Sequence, residues 1–176
     1  KRSANSPCIV GPPGVGKTSV VRGLAHRFAD APFEAEPRIL VEIVVSELLA
    51  STGTRGALAE KLTAIRAEVR GAHGLVVLFI DEIHELFGTG TLDEALCEIK
   101  LALARGEIRI IGATTPEELR RSIECDPALY RRFTMVEIEE PTEEDAFLLI
   151  QSVAVGLGRH HGLAYTDEAV AAAVSW

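Results

Sequence analysis

The sequence predicts an α/β fold in which helices cover a parallel sheet. Two patterns carry that prediction: five apolar runs of strand length, at residues 8–10, 39–45, 75–80, 108–111 and 135–138, and helix-period stretches between most of them. A third observation supports it. The string G-x-x-x-x-G-K-T links the first apolar run to the first helical stretch, where a strand-loop-helix unit needs its glycines.

In chain order, the first helix is expected over 17–29, because Val20, Val21, Leu24, Ala25 and Phe28 fall on one stripe. Asp30, Pro32 and Pro37 mark the loop after it. Leu58, Leu62, Ile65 and Val69 form a second stripe, stopped by Gly71, Ala72, His73 and Gly74. A third helix fits 92–104, with Gly106 just past its end, and a fourth starts at Pro116, since proline suits a first helical turn. Pro141 is expected to close the sheet domain. Beyond it, Thr142 caps a helix carrying Phe147, Leu149, Ile150 and Val153, and Thr166 caps another over 169–174.

The 176 residues suffice for one domain with a small appendage. With 47% hydrophobic and 25% charged residues, the composition is that of a globular protein and not of a disordered tail. A net charge of −8 opposes general binding to a phosphate backbone, so nucleic acid is not an expected partner. Cys8, Cys97 and Cys125 form no C-x-x-C pair and suit a reducing compartment, from which a cytoplasmic location is expected. No apolar run approaches the ~20 residues of a membrane span, and KRSANSP leads into no signal-peptide core. Lys1 stands close to the first strand and Trp176 falls within a helical pattern, so a fragment of a longer protein is expected.

Gly11, Pro12, Pro13, Gly14, Val15, Gly16, Lys17 and Thr18 make up the loop string. Its chemistry is that of a phosphate cradle. The glycines let successive N–H groups curl round an anion, and the helix N-terminus adds partial positive charge. Lys17 reaches the outer phosphates of ATP or ADP, and Thr18 supplies a hydroxyl to Mg2+. The competing reading is an ordinary Gly/Pro-rich turn.

The third apolar run ends in Asp81 and Glu82, at the strand edge where open α/β sheets bind ligands. Asp81 is read as the second Mg2+ ligand and Glu82 as the group that orients the attacking water. A solvated helix cap is the alternative. Gly112, Ala113, Thr114, Thr115 and Pro116 bring a fourth strand to the same edge. Thr115 has two readings: a sensor of the terminal phosphate, or a cap for the helix opened by Pro116, Glu117 and Glu118. Arg131 and Arg132 are permanent planar cations suited to charge on a transferring phosphate, with surface ion pairing as the alternative. His84, in the string D-E-x-H, is read as packing or hydrogen-bonding, and His160 and His161 as part of an exposed loop with weak metal character.

Together the phosphate loop, F-I-D-E, A-L-A-R-G-E at 102–107, G-A-T-T and D-P-A-L-Y-R-R-F at 126–133 resemble the first ATPase domain of the Clp family of AAA+ unfoldases. That resemblance covers nearly the whole chain. It implies a five-stranded parallel sheet in the order 5-1-4-3-2, with residues 1–140 as the nucleotide-binding subdomain and 141–176 as the start of a helical lid. It further implies a hexameric ring acting on protein substrates, with Thr115 as the first sensor and Arg131 and Arg132 as arginine fingers serving the adjacent subunit.

Three departures accompany the resemblance. Thr54 stands where the family carries a pore aromatic that grips polypeptide, so weak threading is expected. The stretch at Gly88, Thr89, Gly90 and Thr91 is shorter than in relatives, which reshapes a loop expected to face the pore. The adenine-contacting segment and the rest of the lid are absent, so weak nucleotide binding and slow hydrolysis by this piece are expected. Two rivals follow. A nucleotide-controlled assembly module fits Thr54. A nucleic-acid motor fits D-E-x-H with G-A-T-T but lacks a basic stripe and a stacking platform.

Overall fold

The computed structural model describes residues 6–30, 38–51, 55–87 and 93–175. Thr54, the 88–91 stretch, Pro32, Pro37, Leu92 and Trp176 lie outside the described residues. The chain divides into two compact units, Lys1–Ile138 and Glu139–Trp176.

The first unit is built on strands β1 (Ser6–Val10), β2 (Ile39–Ile43), β3 (Val76–Ile80), β4 (Ile110–Thr114) and β5 (Phe133–Glu137). They form one sheet in the order β2-β3-β4-β1-β5 with every pair parallel, which is the order the resemblance implied. Successive side chains of a strand face opposite sides, so a sheet covered on both faces needs apolar residues at every position. Val77 and Phe79, Ile9, and Ile111 and Ala113 pack on one face with Val21, Leu24 and Phe28 of helix α1 (Lys17–Ala29). Leu78 and Ile80, Cys8 and Val10, and Ile110 pack on the other. There they meet α2 (Val45–Ala50), α3 (Arg55–Gly71), α4 (His84–Phe87) and α5 (Asp93–Arg105). Cys8 is fully buried, and burial pushes its thiol up to about 12. It acts as a small apolar residue against Gly112.

After β4 come α6 (Pro116–Glu118), a π-helical turn over Leu119–Ile123, and α7 (Pro127–Tyr130). The second unit is a pair of helices, α8 (Glu143–His161) and α9 (Asp167–Val174). Thr142 and Thr166 cap them, accepting from Asp145 N at 3.2 Å and Ala169 N at 3.3 Å. Gly162 ends α8 in the left-handed conformation, with φ 67°.

Several boundaries differ from the sequence expectation. The second apolar run stops pairing at Ile43, because Val45 turns inward to open α2 and is buried. β4 starts at Ile110 and runs through Thr114, and β5 starts at Phe133, whose partner is Ser6 of β1. Val20 is exposed, so the buried stripe of α1 excludes it. In α8 the side chains of Leu149 and Val153 are exposed, while Ala154 and Gly158 are buried. His160 and His161 lie in the last turn of α8 and not in a loop.

Candidate functional site

Three strand ends converge on one edge of the sheet, since all five strands run the same way. The loop 11–16 follows β1, Asp81 and Glu82 follow β3, and Thr114 ends β4 with Thr115 next after it. Adjacent strands β3, β4 and β1 therefore deliver every carboxylate and hydroxyl of the predicted site to the same side.

The loop has the backbone that its sequence requires. Gly14 and Gly16 have φ of 79° and 98°, a region that costs any residue with a Cβ. Gly11 is required for space: a Cβ there would lie 2.7 Å from the carbonyl oxygen of Ile138. Helix α1 then begins with Gly16 as its N-cap, no side-chain cap and no acid in its first turn. Helices α6, α7, α8 and α9 each have a Thr or Asp cap. The free N–H groups at the start of α1 are those an external anion would take.

Lys17 is buried, and its ammonium donates to the carbonyl oxygens of Gly11 and Pro12 at 3.0 Å each. Among the described residues it has no carboxylate partner. A buried cation held only by neutral carbonyls favours an anion beside it. Thr18 donates to Asp81 Oδ2 at 2.6 Å, so the two oxygens read as Mg2+ ligands are already together. A hydroxyl and one carboxylate fit magnesium, a hard cation that keeps waters and phosphate oxygens in the rest of its shell. No group of three or more His, Cys, Asp or Glu that could form an all-protein metal cage occurs among the described residues.

Glu82 has φ 49°, left-handed and unusual for a residue with a long side chain. Its neighbours impose that turn. Ile83 is fully buried and donates its N–H to Ala113 O of β4 at 2.9 Å. Its side chain fills the space left by Gly112, where a Cβ would lie 2.9 Å from Ile83 Cδ1. The Glu82 N–H donates to Asp81 Oδ1 at 3.1 Å, and the carboxylate itself is half-exposed. His84 Nδ1 stands 3.3 Å from Glu82 Oε2 and 3.0 Å from Thr114 Oγ1.

Thr115 caps α6, its Oγ1 accepting from Glu118 N at 3.3 Å. Its hydroxyl hydrogen is not committed by that bond. Thr114, which the sequence reading treated only as part of G-A-T-T, is fully buried, and its carbonyl accepts from Gly11 N at 3.3 Å. The only sequence signal near it is D-E-x-H, which puts His84 two residues after Glu82, where its Nδ1 meets the Thr114 hydroxyl.

Arg131 and Arg132 are elsewhere. They precede Phe133, which pairs with Ser6 at the start of β1, so they occupy the edge opposite the phosphate loop. The separation is one strand, roughly 16 Å for five residues. Neither guanidinium ion-pairs among the described residues. Asp126 positions the short helix before them: it accepts from Ala128 N and Leu129 N at 2.9 and 3.2 Å, and from Lys100 Nζ of α5 at 2.6 Å. The Lys100 hydrogen bond, with the two backbone donors, holds the Asp126 carboxyl below its ordinary value.

The model of the ATPase family associated with various cellular activities (AAA) matches residues 7–139. The chain is 44% identical to the chloroplastic chaperone protein ClpC2 of Arabidopsis thaliana, over 98% of this chain and 19% of that protein. It is 45% identical to the chaperone protein ClpB of Aquifex aeolicus, over 99% of this chain and 18% of that protein. Among solved structures, the S. cerevisiae Hsp104:casein complex in its extended conformation matches with a TM-score of 0.87 and 34% identity, over 99% of this chain and 30% of that one. The chain spans about a fifth of the length of the curated relatives it matches.

Proposed function

The chain belongs to the AAA family of ATPases, and from that premise we propose that it is an ATP-hydrolysing domain of a Clp-type ring that remodels protein substrates in the cytoplasm. The observation that carries the proposal is the buried Lys17, without a carboxylate partner among the described residues, at the uncapped start of α1 beside the Thr18–Asp81 pair.

In this reading ATP is the substrate. The backbone N–H groups of 11–18 and the Lys17 ammonium bind its phosphates, and Thr18 and Asp81 hold magnesium. Bound magnesium neutralises charge on the phosphate oxygens during transfer. Glu82 orients the attacking water and polarises it, and Thr115, whose hydroxyl hydrogen is uncommitted, donates toward the terminal phosphate. Arg131 and Arg132 stand one strand length from their own loop, so the site they complete is that of a neighbouring subunit. A ring of identical chains in head-to-tail contact supplies such a neighbour, and a hexamer is proposed. The likeness to ClpB, ClpC2 and an Hsp104 bound to casein supports protein as the substrate of the assembled machine. Three free thiols, one of them buried, are compatible with a reducing compartment, and no helix among the described residues is long and apolar enough to cross a membrane.

The test is steady-state ATP hydrolysis across protein concentrations with magnesium fixed. A specific rate that rises with concentration is expected, with losses of about a hundredfold or more in Glu82→Gln and in the double variant Arg131→Ala/Arg132→Ala. Full activity in Glu82→Gln would remove the catalytic assignment. Indifference to the arginines at every concentration would remove the shared site.

A further inference from the structure

We propose that His84 is a positioning residue for Glu82, anchored by the buried hydroxyl of Thr114. The inference rests on the ATPase reading and extends it to how the water-orienting carboxylate is held. A half-exposed carboxylate on a left-handed turn has many rotamers open to it, and orienting a water requires one. The contact that restricts it is His84 Nδ1, 3.3 Å from Glu82 Oε2.

His84 is itself fixed from the other side. Its Nδ1 lies 3.0 Å from Thr114 Oγ1, and Thr114 is fully buried on the central strand β4, with its carbonyl bonded to the first residue of the phosphate loop. One ring nitrogen thus faces two oxygens, and it presents either a hydrogen or a lone pair. With a hydrogen on Nδ1, it donates to Thr114 Oγ1 at 3.0 Å and stands against the carboxylate, which can only accept, at 3.3 Å. With a lone pair on Nδ1, the Thr114 hydroxyl donates to it, and Glu82 loses its donor. The tautomer with the hydrogen on Nδ1 is therefore the one that orients Glu82. Thr114 stands between the phosphate loop and this ring, so a shift of the loop that moves β4 is transmitted to the carboxylate through the Thr114–His84 hydrogen bond and the His84–Glu82 contact.

A purely structural histidine would satisfy Thr114 and do nothing to the rate. The two roles separate in the full-length protein by measuring kcat at saturating ATP together with the dissociation constant of a fluorescent ATP analogue. His84→Leu is expected to lower kcat about tenfold through loss of the contact that orients the carboxylate, with nucleotide affinity within about twofold of wild type. His84→Asn places an amide donor at the position of Nδ1 and is expected to recover most of that rate. His84→Gln places it one bond further out and is expected to resemble His84→Leu. The inference is overturned if His84→Leu hydrolyses at the wild-type rate or faster, if Asn rescues no better than Gln, or if affinity falls in step with kcat. Glu82→Gln in parallel separates the two layers: its full activity would overturn the ATPase reading itself, whereas an inactive Glu82→Gln beside a fully active His84→Leu would remove only the role of His84.

Discussion

At the scale of single residues, Glu82 combines a strained backbone with a role proposed in catalysis. Its φ of 49° costs a residue with a side chain about 1–2 kcal/mol, and the buried Ile83 on one side and Asp81 on the other enforce it. Asparagine tolerates that conformation better than glutamate. What the exchange removes is a contact between a half-exposed carboxylate and a histidine, worth little in water. The backbone contribution wins, so Glu82→Asn is expected to raise stability by about 0.5–1 kcal/mol while abolishing hydrolysis. Thermal unfolding measured beside the ATPase rate checks it. A variant that loses both stability and activity would show that the left-handed turn is not strained.

At the scale of elements, α1 and β3 were the legible ones beside the site, whereas the end of β4 and the short α4 were not. The G-x-x-x-x-G-K-T string set α1 at 17–29, because glycine and a helical stripe are local signals, and the structure places the helix at Lys17–Ala29. Where burial decides, the sequence was silent. The run 39–45 reads as one strand, yet Val45 leaves the sheet to pack under α3 and α4, and no local signal separates a buried strand residue from a buried helix residue. The same ambiguity hid the burial of Thr114, since G-A-T-T gives no sign of which threonine points inward. The four-residue α7 was equally hidden, being too short to show a period. It is too short to be stable unaided, and Asp126 holds it. Asp126→Ala removes two backbone caps and the Lys100 bond, and is expected to cost about 1–2 kcal/mol. Because the folded carboxyl titrates below its ordinary value of 3.8, this stabilisation is present above that pH and disappears as acid lowers the pH through the folded value. Denaturant unfolding of the wild type and Asp126→Ala should therefore differ at neutral pH and converge in strong acid. A difference that persisted there would place the loss outside the carboxylate.

At the scale of the whole molecule, the parallel sheet separates the two halves of the proposed chemistry. Every strand carries its C-terminal end to the phosphate loop, while Arg131 and Arg132 stand before β5 at the opposite edge. A long arginine side chain does not bridge roughly 16 Å, so under the proposed assignment a single chain holding both Glu82 and the arginines lacks a complete site. Two inactive variants should then rescue each other. In a one-to-one mixture of Glu82→Gln and Arg131→Ala/Arg132→Ala, random head-to-tail assembly pairs an intact Glu82 with an intact neighbouring arginine pair at about a quarter of the interfaces. Hydrolysis by the mixture is expected to approach a quarter of the wild-type rate, after time for subunits to exchange, although each variant alone is nearly inactive. Were the arginines to serve their own loop, no interface in the mixture would contain a complete site, and the mixture would be as inactive as its parts.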